Sequence, residues 1–241
     1  MPSFDKDPIG LAIQDFVAQQ HDENIVVKSS ICEDDVIPVA YLFRGDKSSS
    51  FEFTEIEQCA LSNCEGKILE IGAGAGIHAL HLKNQGFDIQ VIDTSAGAVE
   101  HHKSLSLPTR QINFFELENE QYDTLLFLMN GLGIAGKLDN LSRFLQKCRD
   151  LLPEQGTIIA DSTDIKYLYE DDEGGYWMDL NSAYYGDFDF QMCYKNTCTD
   201  VFDWLYVDFN TLKKHAEQNG FSIELLFEME QQYLVKMRKM N

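Results

Sequence analysis

Leu69-Glu70-Ile71-Gly72-Ala73-Gly74-Ala75-Gly76 joins an apolar run, Lys67–Ile71, to a helical pattern that starts at Ile77. Glycine lets the backbone turn sharply and lets a ligand lie against it with no Cβ in the way. The helix start beyond offers unpaired N–H groups to an anionic group. Asp93 ends a second apolar run, Asp88–Asp93, and stands 93 − 72 = 21 residues after the first glycine. That is the separation at which a doubly wound sheet places the carboxylate that takes ribose hydroxyls. The spacing also discriminates between ligands. A dinucleotide loop needs its third glycine at position 77, which is Ile77, and no G-K-[ST] follows for a triphosphate. Glu70 would face the ligand, where it repels a pyrophosphate and attracts an ammonium.

Outward from this loop, strand-like and helical stretches alternate, the signature of a parallel α/β sheet. The helix after the loop runs to about Asn84 with Gly86 as its stop, and a short helix spans Ala96 to about Lys103. Strand three is expected near Gln111–Phe115, strand four at Thr124–Met129 and strand five at Gly156–Asp161. Between the last two, Leu141, Phe144, Leu145 and Cys148 mark a helix closed by Pro153. Asn210 is expected to cap a helix that ends at Gly220, and the alternating runs from Phe221 and Tyr233 form an antiparallel terminal pair. The predicted fold is a Rossmann-like, doubly wound, mostly parallel seven-stranded sheet with that antiparallel C-terminal pair. Residues 1–64 read as an N-terminal extension or lid, and 65–241 as the ligand-binding domain. The extension has a helix opened by Asp7-Pro8, a hairpin from 25–28 and 36–43, and a helix opened by the capping box Thr54–Glu57. Residues 165–206, rich in Tyr, Phe, Trp and acids, form a lobe inserted over the ligand edge.

Glu70 followed by Gly72, Gly74 and Gly76, with Asp93 ending the next strand, resembles the class I S-adenosylmethionine-dependent methyltransferases. The order of elements from 67 to 238 resembles theirs too. The resemblance implies S-adenosyl-L-methionine as cofactor, with Glu70 near the methionine amino group. It places Gly72, Ala73 and Gly74 under methionine and ribose, Asp93 on the ribose hydroxyls and Thr94 beside the adenine. Asn113 and Phe114 are the nearest matches to the residues that meet the adenine ring, Asn standing where the family usually has an acid. Met129 and Asn130 fall where the family flanks the reactive methyl group. The implied activity is methyl transfer to a small molecule, and the alternatives are a catalytically silent cofactor-binding or scaffold protein and a nicotinamide-dinucleotide oxidoreductase. Because the methyl group arrives activated, alignment and desolvation carry most of the catalysis, and no catalytic residue is named.

Around this core the candidates are less specific. Asn130 either binds ligand or caps a turn, and Gly131, Gly133 and Gly136 suit either a close approach or a flexible connection. Asp161 or Asp164 could take a proton or hold an amine, or could cap a helix. With Asn130, Asp161 lacks a third metal ligand, so no metal site is expected. The lobe's aromatics and Glu170–Glu173 could receive a cationic or aromatic molecule, although most read as the lobe's own core or a dimer surface. His78 could reach the cofactor or lie at the surface. His101, His102 and His215 fall on helices away from the edge, and Tyr41, Phe43 and Arg44 either close over the cofactor or pack a hairpin.

Composition narrows the partners. Forty acidic against 19 basic side chains give a formal charge of −21. Nucleic-acid binding needs clustered Lys and Arg, and an anionic membrane surface needs the same, so both are disfavoured. There is no membrane-length apolar run and no secretory leader at the N-terminus. The six cysteines have no C-x-x-C pair and read as reduced thiols in a cytoplasmic protein. A small-molecule substrate is the expected partner, and a homodimer is left open.

Overall fold

Polar side chains that capture backbone N–H groups start most of the helices, and runs of buried apolar residues make the central strands. In chain order the elements are α1 (Pro8–Val17), β1 (Ile25–Ser29), β2 (Asp35–Ile37), α2 (Glu55–Ser62), β3 (Lys67–Ile71), α3 (Ile77–Asn84), β4 (Asp88–Asp93), α4 (Ala96–Ser104) and β5 (Thr109–Gln111). They continue with β6 (Thr124–Phe127), α5 (Leu141–Asp150), β7 (Thr157–Thr163), β8 (Asp187–Tyr194), β9 (Thr197–Cys198), β10 (Phe202–Leu205), α6 (Phe209–Gln218), β11 (Phe221–Met229) and β12 (Gln232–Lys239). This computed structural model describes residues 6–20, 23–46, 49–171 and 183–240.

The expected seven-stranded sheet has the order β11-β12-β7-β6-β3-β4-β5. Strands β5, β4, β3, β6 and β7 are mutually parallel, and β12 runs antiparallel to both β7 and β11. All four residues of β6 are buried, as befits a strand covered on both faces. The strand order reverses between β3 and β6, so a crevice opens at their carboxyl ends. A second sheet, of order β10-β8-β1-β2 with β9 on β8, joins the N-terminal extension to the inserted segment. Two stretches more than a hundred residues apart thus build one β lobe over the crevice.

Helix α1 ties this lobe to the first sheet. Asp7 Oδ1 accepts from Gly10 N–H at 2.8 Å, while Oδ2 accepts from Ser95 Oγ and Gly97 N–H, both at 3.0 Å. A Cβ on Gly97 would lie 2.5 Å from Gly10 Cα, so α1 and α4 touch through bare backbone.

Several expectations are corrected locally. Strand three is Thr109–Gln111 rather than Gln111–Phe115. Asn113 accepts from Phe115 N–H at 2.9 Å and turns the chain into a 3-10 helix. Phe114 is thereby buried against Phe127 and Phe144 with ring centroids 5.4 and 5.5 Å apart, so that apolar run serves the core. Strand four stops at Phe127, because Met129 and Asn130 adopt left-handed φ of 60° and 56° and leave the ladder. The hairpin's second strand ends at Ile37. Pro38 has no N–H for a ladder, and its carbonyl accepts from Tyr41 N–H to start a 3-10 helix, Val39–Phe43. The last helix is capped by Asp208, which accepts from Thr211 N–H at 3.0 Å, and not by Asn210.

The cysteines are the largest correction. Cys193 and Cys198 form a disulfide, so the six are not all free thiols. Lys195, at φ 51°, folds the C-x4-C stretch back on itself, and the two cysteines become direct cross-strand partners 4.1 Å apart at Cα. Cys32, Cys59, Cys64 and Cys148 are free. Among the described residues no helix is long and apolar enough to cross a membrane.

Candidate active site

The glycine loop lies at the carboxyl end of β3, and its three glycines, all at positive φ, do different work. A Cβ on Gly74 would meet nothing within 4 Å, and one on Gly72 would meet only Ile134 at 3.8 Å. Both positions therefore leave open space against bare backbone. Gly76 is expected among the cofactor contacts, but it faces inward. Its Cβ would lie 2.8 Å from the His102 ring and 3.0 Å from Leu107. His102, expected on a helix away from the edge, is fully buried beneath the loop, with Nε2 2.8 Å from Gly74 O and Nδ1 3.2 Å from Thr109 Oγ1.

Asp93 braces the loop from β4. Its Oδ2 accepts from Gly74 N–H at 3.0 Å and its Oδ1 from Ser95 N–H at 2.8 Å. Burial raises the carboxyl's pKa against the opposing effect of those two bonds. Gly72, Gly74, Asp93, Thr94, Asn113 and Phe114 line one cavity of about 530 Å³. The structure thus gathers into one groove the residues expected at the ribose and adenine.

The other side of the loop holds a buried charge network. Glu70, 2% exposed, places Oε1 3.1 Å from His78 Nδ1. His78 Nε2 lies 2.8 Å from Glu57 Oε1. Arg44 Nε donates to the same oxygen at 2.7 Å, Nη2 donates to it as well, and Nη1 donates to Tyr41 O at 2.9 Å. Both His78 nitrogens face carboxylates, so both must donate and the ring is the imidazolium. Burial alone would lower the His78 pKa, but the bonds to Glu57 and Glu70 raise it above its ordinary value. Burial alone would raise that of Glu57, but His78 and Arg44 hold it well below the carboxylate range. Two anions and two cations balance in a site almost wholly buried. One atom is left over, because Glu70 Oε2 is buried and has no hydrogen-bond partner among the described residues. Arg44, Glu70, Gly72, Ala73, Gly74, His78 and Met129 line a small pocket of about 40 Å³ that continues the groove.

The groove's far end is a chamber of about 550 Å³ under the β lobe. Arg44 and Met129 line both this chamber and the small pocket, and Trp204 and Met192 line both the chamber and the cavity beside Asp93. Asn130 N–H donates to both oxygens of Asp161, at 3.0 and 3.1 Å, and Thr163 Oγ1 donates to Asn130 Oδ1 at 2.8 Å. Asp161 is 7% exposed, and burial pushes its carboxyl up to about 6. Asp164 instead accepts from Lys166 N–H and Tyr185 Oη, a capping role. Of the lobe's aromatics, Tyr167, Phe188, Phe190, Trp204 and Tyr206 line the chamber, whereas Tyr184 donates to Asp208 and belongs to the lobe's own framework. Tyr176, Trp177, Asp172 and Glu173 lie outside the described residues. Gly133 makes room for Trp204, since a Cβ there would fall 2.1 Å from the indole. Among the described residues no group of three His, Cys, Asp or Glu side chains could hold a metal ion.

Sequence reasoning missed the role of Glu57, seen only as half of a capping box, and left Arg44 and His78 undecided. The capping box is real, with Thr54 N–H donating to Glu57 Oε2 at 2.9 Å, but the other carboxylate oxygen was free to take Arg44 and His78.

A doubly wound sheet with an open glycine loop, a carboxylate ending the next strand and a groove across its switch point defines a nucleoside-binding Rossmann-like domain. No protein-family model matches the sequence, and no curated protein matches it. Solved structures do. A SAM-dependent methyltransferase from Bacteroides fragilis, in complex with S-adenosyl-L-homocysteine, is 39% identical over 100% of this chain and 98% of its own, with a TM-score of 0.90. A sugar N-methyltransferase from Streptoalloteichus is 13% identical over 77% of this chain and 85% of its own, with a TM-score of 0.53. A SAM-dependent methyltransferase from Methanosarcina mazei is 14% identical over 78% and 98%, with a TM-score of 0.56. The last two share the fold alone. On the first, the chain belongs to the S-adenosylmethionine-dependent methyltransferases.

Proposed function

We propose that the protein binds S-adenosyl-L-methionine in the groove and transfers its methyl group to a small molecule held in the chamber. The observation that carries this is the orphaned Oε2 of Glu70, a buried acceptor beside the open backbone of Gly72 and Gly74. An unpaired buried polar group is costly, and an ammonium group of the cofactor's amino-acid end would satisfy it. Asp93 would take the ribose hydroxyls, with Thr94, Asn113 and Phe114 around the adenine. Met129, which lines both the small pocket and the chamber, and Asn130, on the chamber wall, would flank the methyl group as it passes.

When bound, the cofactor supplies a methyl group already activated for in-line displacement. The protein's own work is then to hold the two reactants in line and keep water out. The β lobe roofs the chamber for this purpose. The net charge of −21 supports a small-molecule acceptor over nucleic acid. The four free cysteines support a cytoplasmic protein, and the disulfide weighs on the other side.

Calorimetry with S-adenosylhomocysteine tests the reading, with Glu70→Gln as the diagnostic variant. Binding by the native protein and a loss of about tenfold or more in the variant are expected, since one charge-assisted bond is removed. No heat with either form of the cofactor would refute it. Binding without release of labelled methyl to any acceptor class would instead identify a silent cofactor-binding protein.

A further inference from the structure

The chamber beyond Met129 is lined by more carboxylates than basic side chains. Its carboxylates are Glu33 and Asp35 at the exposed rim, with Glu57 and Asp161 deep inside. Its one basic residue is Arg44, which is already engaged by Glu57. No Lys or His lines it among the described residues. Pairing Arg44 against Glu57 leaves Glu33, Asp35 and Asp161 as the net charge of the space. The walls are aromatic, with Tyr206 5.5 Å from Phe188 and 6.1 Å from Phe190 between ring centroids. Aromatic faces and carboxylates both attract cations.

The charge flow of methyl transfer makes this lining selective. The sulfonium's positive charge leaves the sulfur as the reaction proceeds. With a carboxylate or phenolate acceptor it is annihilated, and a chamber for such an anion needs a basic side chain to hold it. With an amine acceptor the charge moves onto nitrogen, into the chamber. Groups placed where charge develops lower the barrier most, and here those groups are a buried carboxylate and aromatic faces. We propose that the acceptor is an amine, held with its nitrogen beside Asp161 and against the aromatic wall formed by Phe188, Trp204 and Tyr206. This rests on the methyltransferase reading above.

The step balances without further reagents. The amine binds as an ammonium ion and gives one proton to Asp161, which passes it to solvent. The neutral nitrogen's lone pair forms the new nitrogen–carbon bond as the carbon–sulfur bond breaks, and sulfur keeps that bond's electrons. The products are a methylated ammonium ion and the neutral thioether. Asp161 is suited to both tasks, since burial holds its carboxyl at about 6, ionised near neutrality yet able to accept a proton.

The test compares benzylamine, benzyl alcohol and phenylacetate, which are similar in size and differ in charge. Each is titrated by calorimetry into native protein saturated with S-adenosylhomocysteine, and into Asp161→Asn treated likewise. Benzylamine should bind about tenfold or more tighter than the other two. The variant should lose that preference while keeping its affinity for S-adenosylhomocysteine, which shows that it is folded. Phenylacetate binding as well as benzylamine, equal or absent binding of all three, or an unchanged preference in the variant each overturn the amine assignment. None of these touches the methyltransferase reading, which fails if S-adenosylhomocysteine does not bind or if no acceptor class ever receives the labelled methyl. Labelled methyl recovered on benzyl alcohol or phenylacetate, but not on benzylamine, would also overturn the assignment.

Discussion

Asp161→Asn should make the protein more stable at neutral pH, because the native carboxylate is held against its own solvation preference. The side chain is 7% exposed, and one neighbouring N–H, that of Asn130, is shared between its two oxygens. Burial raises its pKa from 3.8 to about 6. A folded-state pKa above the unfolded one means that folding favours the protonated carboxyl. The group's contribution is therefore fully present below about pH 4 and is lost as the pH rises through 6. At pH 8 the ionised carboxylate costs on the order of 2–3 kcal/mol, from about two units at 1.36 kcal/mol each. Asparagine keeps an oxygen for the Asn130 N–H, carries no charge and turns its amide toward the chamber. A gain of roughly 2 kcal/mol at pH 8 corresponds to a rise in Tm of about 4–8 °C for a chain of this size. Urea unfolding of both proteins at pH 4, 6 and 8, followed by circular dichroism, measures it. The gain should shrink toward zero at pH 4. Equal or lower stability at pH 8, or a gain independent of pH, refutes the reasoning. A site that costs stability in this way is expected where function requires the charge.

Four further outcomes follow from the same geometry. Gly76→Ala should lose about 2–4 kcal/mol of stability, because its Cβ meets buried His102 and its φ of 73° disfavours a side chain. Gly74→Ala should lose only about 1 kcal/mol yet weaken S-adenosylhomocysteine binding strongly, and the reverse pattern in melting and calorimetry would contradict the assignment of the two glycines. Glu57→Gln should cost about 3 kcal/mol, measured by urea unfolding, because it leaves the 1%-exposed Arg44 without its counter-charge, and a loss below 1 kcal/mol would show that the network carries little stability. The stabilisation from His78, whose pKa is raised, should be complete below about pH 6.5 and fall as the pH rises beyond it; the difference in stability between native protein and His78→Asn should narrow accordingly, and a difference that widens toward pH 9 would be inconsistent with a protonated ring.

The parallel sheet, the glycine loop and the position of Asp93 were legible in the chain because each is a local pattern. Apolar runs, glycines at fixed offsets and a carboxylate at a strand end depend on neighbours within about twenty residues. Where long-range packing competes with a local pattern, the chain misleads. Phe114 looks like part of a strand but is drawn into the core by Phe127 and Phe144, and Gly76 looks identical to Gly74 until His102 is seen beneath it. The disulfide is hidden for the same reason, since only the pairing of β8 with β9 brings Cys193 opposite Cys198.

The site's chemistry is more non-local still. Arg44 and Glu57 come from the extension, Glu70 and His78 from the two sides of the glycine loop, Asp161 from β7 and the aromatic wall from the inserted segment. Pattern along the chain sufficed for the groove, because its open backbone lies at one turn and its carboxylate ends the next strand. The charge of the chamber's lining came only from the folded molecule, because burial and Coulomb energy depend on which distant groups are brought within a few ångströms of each other and away from water.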